Sequence, residues 1–183
     1  MTERALELEP GEVLSAQALD GRSVYFEVSR KLGSGGMGVV YEAIADDGQV
    51  AVVKGPRTVG TRDLSLEREA RYLREVNPHP NVIRFLGAQK DPRGHMLLFL
   101  ERAFDNPLRY LNREAVKARL ANRQSQPSKK ASGAIPTRPR MIAPPLSTAL
   151  ELGYDLARGI ECLHAKGIVH NNVKIANLII AIN

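Results

Sequence analysis

Apolar positions interrupted by single or clustered polar ones run over residues 24–32, VYFEVSRKL, and again over 39–44, VVYEAI. Both stretches are rich in β-branched and aromatic residues, so both predict strands. Between them lies GSGGMG; after the second comes DDG, a hairpin-type turn, and then the apolar run QVAVVK. Three antiparallel strands in succession are predicted. The period then lengthens. In 63–76, DLSLEREARYLREV, the residues Leu66, Ala70, Leu73 and Val76 fall on one helical face with charges on the other, which predicts an amphipathic helix. NPHP ends it, because the residue before each proline is pushed out of the helical region. VIRFLGAQ, a DPRG turn and HMLLFLE add two strands. The first 101 residues thus read as five strands and one helix.

Past Glu101 the pattern is helical. A short helix near 107–116 is followed by a longer one from about Thr148 to Lys166, opened by a T-x-x-E capping box at Thr148 and Glu151. Ala149, Leu152, Leu156, Ile160 and Leu163 recur at steps of three and four, and Gly167 stops the helix. No internal repeat is visible.

A chain of 183 residues suits one domain or two small lobes. Its 43% hydrophobic and 25% charged residues speak against wholesale disorder. There is no apolar run of about 18 residues, and the acidic start MTERALELEPGE lacks the basic and apolar regions of a signal peptide. A cytoplasmic location without membrane contact is the expectation. Cys162 is the single cysteine, so no internal disulfide is available, and no His/Cys spacing suits zinc. The net charge of +6 hints at nucleic-acid binding until its position is considered. All the excess lies in 114–140, EAVKARLANRQSQPSKKASGAIPTRPR, which has seven Lys/Arg, one Glu and no apolar period. That stretch reads either as a solvated surface insertion or as a loop that docks an acidic protein partner. No specific nucleic-acid binding is expected.

The candidate chemistry begins at LGSGGMGVVY, with G-x-G-x-x-G at Gly33, Gly35 and Gly38. A dinucleotide-binding turn needs a strand before and a helix after, whereas here Val39, Val40 and Tyr41 continue as strand. The glycines therefore bridge two strands. They form either an ordinary glycine-rich hairpin or one whose backbone N–H groups approach phosphate oxygens closely. Lys54 ends the third strand, and Glu69 sits mid-helix fifteen residues later. They read either as a pair linking sheet to helix or as two unrelated surface charges.

With these residues in view, the sequence from about residue 26 to its last residues resembles the protein-kinase family. LGSGGMGVVY is similar to the glycine-rich loop in the form common among bacterial serine/threonine kinases. AVVK resembles the third-strand motif, and Glu69 in EREARYL fits its helix partner. HPNVIRFLG resembles the segment leading into the fourth strand, and LLFLERA the hinge. GIECLHAKGIVHNNVKIANLII resembles the E helix, catalytic loop and following strand. The fold this implies is α+β, a five-stranded antiparallel sheet with a C helix and a truncated helical C-lobe. The implied division is an extension over 1–23, the strand lobe over 24–101, hinge and D helix over 102–113, the basic insertion over 114–145, and E helix with catalytic loop over 146–183.

The resemblance also implies an ATP site with Mg²⁺. Leu32 would belong to this site, Gly33, Ser34, Gly35, Gly36, Met37 and Gly38 would cover the phosphates, and Lys54, paired to Glu69, would contact them. Val40, Val52 and Ile179 would sandwich adenine, Leu100 would stand as gatekeeper, and Glu101 to Ala103 would offer backbone groups. Lys174 matches the loop lysine, and Asn177 would hold the metal. The loop departs from H-R-D at two places: His170 is kept, but Asn171 replaces the Arg and Asn172 the catalytic Asp. An amide accepts no proton at neutral pH, and general-base work is worth about 10²–10⁴ in rate. Val52 also replaces the usual alanine, and Ile175 the loop proline. The sequence ends at AIN, where D-F-G would follow. A truncated, catalytically impaired serine/threonine kinase-like domain is the expectation, with a pseudokinase-like adaptor module as the alternative. Self-association through 148–166 is expected as well, because the face of Leu152, Leu156, Ile160 and Leu163 would lack the C-lobe helices that cover it in the family.

Overall fold

The computed structural model describes residues 6–35, 38–56, 61–103, 117 and 145–180. The expected short helix near 107–116 and the basic insertion, Lys117 and Pro145 apart, lie outside these residues. The described chain falls into two compact units, one running to Arg102 and including Glu161–Val169, the other holding the rest.

In the first unit the strands are β1 (Val13–Gln17), β2 (Ser23–Gly35), β3 (Gly38–Ala45), β4 (Val50–Gly55), β5 (Phe85–Lys90) and β6 (Met96–Glu101), with helix α1 (Thr61–Val76) between β4 and β5. All neighbours are antiparallel, and the order β1-β2-β3-β4-β6-β5 closes into a barrel. The sheet has six strands where the sequence pattern predicts five. The sixth, β1, comes from the stretch read as an extension. VLSAQ buries only Leu14 and Ala16, too short an alternation to stand out before its partners are known. It closes the barrel by pairing fully with β2 and through Gln17 with Ala88 of β5. Gly87 makes that closure possible, since a Cβ there would lie 2.8 Å from the Gln17 carbonyl oxygen.

Strand alternation divides the side chains between two cores. Val39, Tyr41 and Ala43 of β3, Ala51 and Val53 of β4, and Leu97 and Phe99 of β6 fill the barrel, with Phe26 stacked on Phe99 at 4.6 Å between ring centroids. The residues between them on β6, Leu98 and Leu100, point outward and join Phe85, Leu66 and Ala70 in a second cluster that seats α1 on the sheet. Each such fully buried apolar side chain is worth roughly 1.5–3 kcal/mol. The predicted helical face is thus the one that packs. Asn77, just past α1, ties the helix end to β5: its Oδ1 accepts from the Phe85 N–H at 3.2 Å and its Nδ2 donates to the Phe85 carbonyl at 3.0 Å.

The DDG turn forms as expected, with the Ala45 N–H donating to Gln49 and Gly48 at φ 82°. Helix α2 (Leu146–Ala165) begins two residues before Thr148. Its first carbonyl acceptor is Pro145, so Thr148 and Glu151 lie inside the helix and do not cap it. At the other end Gly167, φ 69°, donates to the His164 carbonyl, and Ile168 donates to that of Leu163. These are the two bonds of a Schellman motif, and they explain why the glycine stops the helix. Leu152, Leu156, Ile160 and Leu163 are half-buried, whereas Leu146, Leu150 and Tyr154 are exposed.

Candidate functional site

The glycine hairpin joins β2 to β3, with Gly33 opposite Val40, Ser34 opposite Val39 and Gly35 opposite Gly38; Gly36 and Met37 lie outside the described residues. Gly33, Ser34 and Gly35 are exposed, and a Cβ on Gly33 or Gly35 would meet nothing within 4 Å. Gly38 differs. Its φ is 122°, and a Cβ there would collide with the Gly55 carbonyl oxygen, so this glycine lets the hairpin base lie directly on the end of β4.

That end carries Lys54. Register places Val40 beside Lys54 and Lys54 beside Leu98, and the row before it runs Glu42, Val52, Leu100. Because alternate residues share a face, Val40, Val52, Lys54, Leu98 and Leu100 lie on the side of the sheet that receives α1. One turn into the packed part of α1, between Leu66 and Ala70, Glu69 meets Lys54. The Lys54 Nζ donates to both carboxylate oxygens at 2.7 Å. The Lys54 side chain is 13% exposed and that of Glu69 34%, so the ammonium is held by a partner at the border of water. The structure thus brings together Val40, Val52, Lys54 and Glu69 at the base of the glycine hairpin; Leu32, next to Gly33 on β2, is half-buried.

Leu100, 6% exposed, belongs to the cluster under α1. Glu101 is fixed twice over: its N–H donates to the Arg84 carbonyl at 2.9 Å, and its Oε1 accepts from the Arg84 N–H at 2.6 Å. Ala103 is half-buried. One feature that sequence reasoning missed is Glu42, whose carboxylate contacts Arg30 Nε at 2.9 Å and Arg102 Nε at 3.0 Å. Its signal was present in the opposite charges on facing strands, Arg30 and Glu42 being register partners.

The second unit holds the loop residues. Asn171 adopts a left-handed conformation, φ 57°, which asparagine tolerates better than most side chains. The Asn172 N–H donates to His170 Nδ1 at 3.3 Å, and Asn177, at the end of the 3₁₀ turn Ile175–Asn177, donates its Nδ2 to the Asn172 carbonyl at 2.8 Å. That bond fixes the loop through its backbone and leaves the Asn172 amide group out of it. Lys174, Ile175 and Ile179 are exposed.

A triphosphate nucleotide suits the first unit. A cation sits on the face where the hairpin's open glycines begin, with apolar Val40 and Val52 beside it for a flat base. Magnesium fits less well. It favours carboxylate oxygens, Asn177 offers one neutral oxygen, and among the described residues no group of three or more His, Cys, Asp or Glu could hold a metal. No described helix is long and apolar enough to cross a membrane.

Comparison with known proteins agrees with this geometry. The protein kinase domain model matches residues 26–183. The chain is 26% identical over 184 residues to the leaf rust 10 disease-resistance locus receptor-like protein kinase-like 1.2 of Arabidopsis thaliana, covering 97% of this chain and 24% of that one. It is 23% identical over 158 residues to the serine/threonine/tyrosine-protein kinase HT1 of the same plant, covering 84% and 34%. It is 22% identical over 175 residues to the probable serine/threonine-protein kinase kinY of Dictyostelium discoideum, covering 94% and 28%. The chain therefore spans about a quarter to a third of the length of these relatives. A domain match across six-sevenths of the sequence, on a strand barrel with its helix, lysine and glutamate in register, makes this chain a member of the protein kinase family.

Proposed function

We propose that this chain is an ATP-binding serine/threonine protein kinase-like domain whose phosphotransfer is impaired. The cognate reaction would move the γ-phosphoryl group of ATP to a protein Ser or Thr hydroxyl. The observation that carries the reading is the Lys54–Glu69 pair, with two 2.7 Å contacts on the face that also presents Val40 and Val52. A lysine held this way is a fixed positive charge for phosphate oxygens, with little rotamer freedom left to lose on binding. Val40, Val52 and Leu32 would enclose adenine, and the backbone of Glu101–Ala103 would hydrogen-bond its edge. The impairment rests on Asn172: a carboxamide can orient a hydroxyl but cannot take its proton. The family as a whole works on ATP with Mg²⁺; no role is assigned to the metal here, given the single neutral donor at Asn177.

The test is equilibrium binding of ATP to the whole chain. Lys54→Met is expected to weaken it about tenfold or more, the loss of one charge-assisted contact. A wild-type chain that binds no nucleotide would refute the reading. The second reading is a binding module without chemistry, and the exposed Leu146, Leu150 and Tyr154 on α2 favour contact with another chain or a second copy. Sedimentation across a wide concentration range separates a monomer from that case.

A further inference from the structure

Arg30, Glu42 and Arg102, the residue that follows β6, form one charged cluster in the first unit. Arg30 on β2 and Glu42 on β3 are register partners, and Glu42 is in turn the partner of Val52, itself the partner of Leu100. Arg30 grips the carboxylate with two nitrogens, Nε at 2.9 Å to Oε1 and Nη2 at 3.3 Å to Oε2. Arg102 takes Oε2 with Nε at 3.0 Å. The Glu42 side chain is only 14% exposed, so its charge is largely removed from water and two guanidinium groups neutralise it.

The strands already restrain Glu101, through Ala51 in register and through Arg84. Arg102 is the first residue beyond β6 and has no strand partner. Its side chain contacts Glu42, at the row that carries Val52 and Leu100. We propose that Glu42 is a positioning residue for nucleotide recognition: by holding Arg102 it presents the backbone of residues 101–103 to the edge of a purine. The inference rests on the ATP-site reading above and adds the specificity element to it. Without Glu42, Arg30 and Arg102 would face each other as like charges, and Arg102 would lose this restraint.

Because Glu42 acts on the base-recognising backbone and not on the phosphates, the two halves of ATP should respond differently to its loss. ATP and inorganic tripolyphosphate are titrated against the wild-type chain, Glu42→Ala, Arg102→Gln and the double variant. Amide exchange at residues 101–103 is followed in each. Arg102 is more exposed than Glu42, so Arg102→Gln supplies the answer if Glu42→Ala folds poorly. In either single variant the Kd for ATP rises about tenfold, near 1.4 kcal/mol, while that for tripolyphosphate stays within about twofold. The double variant is no worse than the weaker single, because both remove one interaction, and exchange at 101–103 quickens. A parallel loss for both ligands would overturn the proposal by making the cluster merely structural, as would unchanged ATP affinity. A wild-type chain that binds tripolyphosphate but gains nothing from the adenosine of ATP would also overturn it. Failure of the wild type to bind either ligand would instead bring down the nucleotide-site reading itself.

Discussion

The buried hydroxyl of Tyr41 accepts the Leu8 N–H at 3.2 Å and donates to the Leu6 carbonyl at 3.4 Å. It ties a segment more than thirty residues upstream into the barrel, where Leu6 lies so close to Gly55 that a Cβ on the glycine would collide with it. The N-terminal residues are therefore part of the lobe that carries Lys54. Tyr41→Phe keeps the ring but leaves a buried N–H without this acceptor, and the expected loss is about 1–3 kcal/mol of stability. Urea unfolding measures it, and a change under about 0.5 kcal/mol would mean that water replaces the hydroxyl.

Two glycines of one motif should respond in opposite ways to the same substitution. Gly38→Ala meets both a φ of 122° and the Gly55 carbonyl, for which the backbone strain alone is of order 1–3 kcal/mol. Relief would require moving β4 next to Lys54, so ATP affinity falls as well. Gly33→Ala meets open space at an ordinary φ and should stay within roughly 0.5 kcal/mol. Equal losses at the two sites, by urea unfolding, would contradict this account.

In the turn between β5 and β6, Asp91 and His95 form a buried pair, with His95 Nδ1 2.9 Å from Asp91 Oδ2. The other Asp91 oxygen accepts N–H groups from Arg93 at 2.9 Å and His95 at 2.8 Å. Burial pushes this carboxyl up, but the bonds from His95 and Arg93 outweigh it and hold its pKa below the usual value. A depressed folded-state pKa means stability that is present above the unfolded value, near 3.9, and lost as pH falls through the folded one. Wild type should accordingly lose stability below about pH 4 more steeply than Asp91→Asn, which carries no titrating group there. Identical slopes in urea midpoints between pH 2 and 5 would refute the assignment.

The Asn172 amide takes no part in the bond that holds its loop, since Asn177 grips the backbone carbonyl. Asn172→Ala should therefore leave both ATP affinity and any residual transfer of labelled phosphate to a Ser/Thr peptide within about threefold, far from the roughly 10²–10⁴ that a working base supplies. A drop beyond tenfold would assign the amide a part in catalysis.

Local pattern determined much of this protein. The β-branched and aromatic runs of β2 to β4, the DDG turn, the 63–76 stripe and the Gly167 stop all follow from preferences of a few adjacent residues, and the motifs that give the family are contiguous strings of that kind. What adjacency does not contain is which strands meet. The place of β1 in the sheet depends on partners in β2 and β5, and its own five residues bury only two side chains. The start of α2 ahead of its apparent capping box could not be read from the spacing of Thr148 and Glu151. Lys54 and Glu69 were visible as a pair or as two surface charges, and only α1 packing on Leu98 and Leu100 brings them within 2.7 Å. Glu42 carries a signal only across strands: its meaning comes from its hairpin partner Arg30, twelve residues before it, and from Arg102, sixty after it. Interactions between residues distant in sequence are set by register and closure, which are properties of the whole sheet.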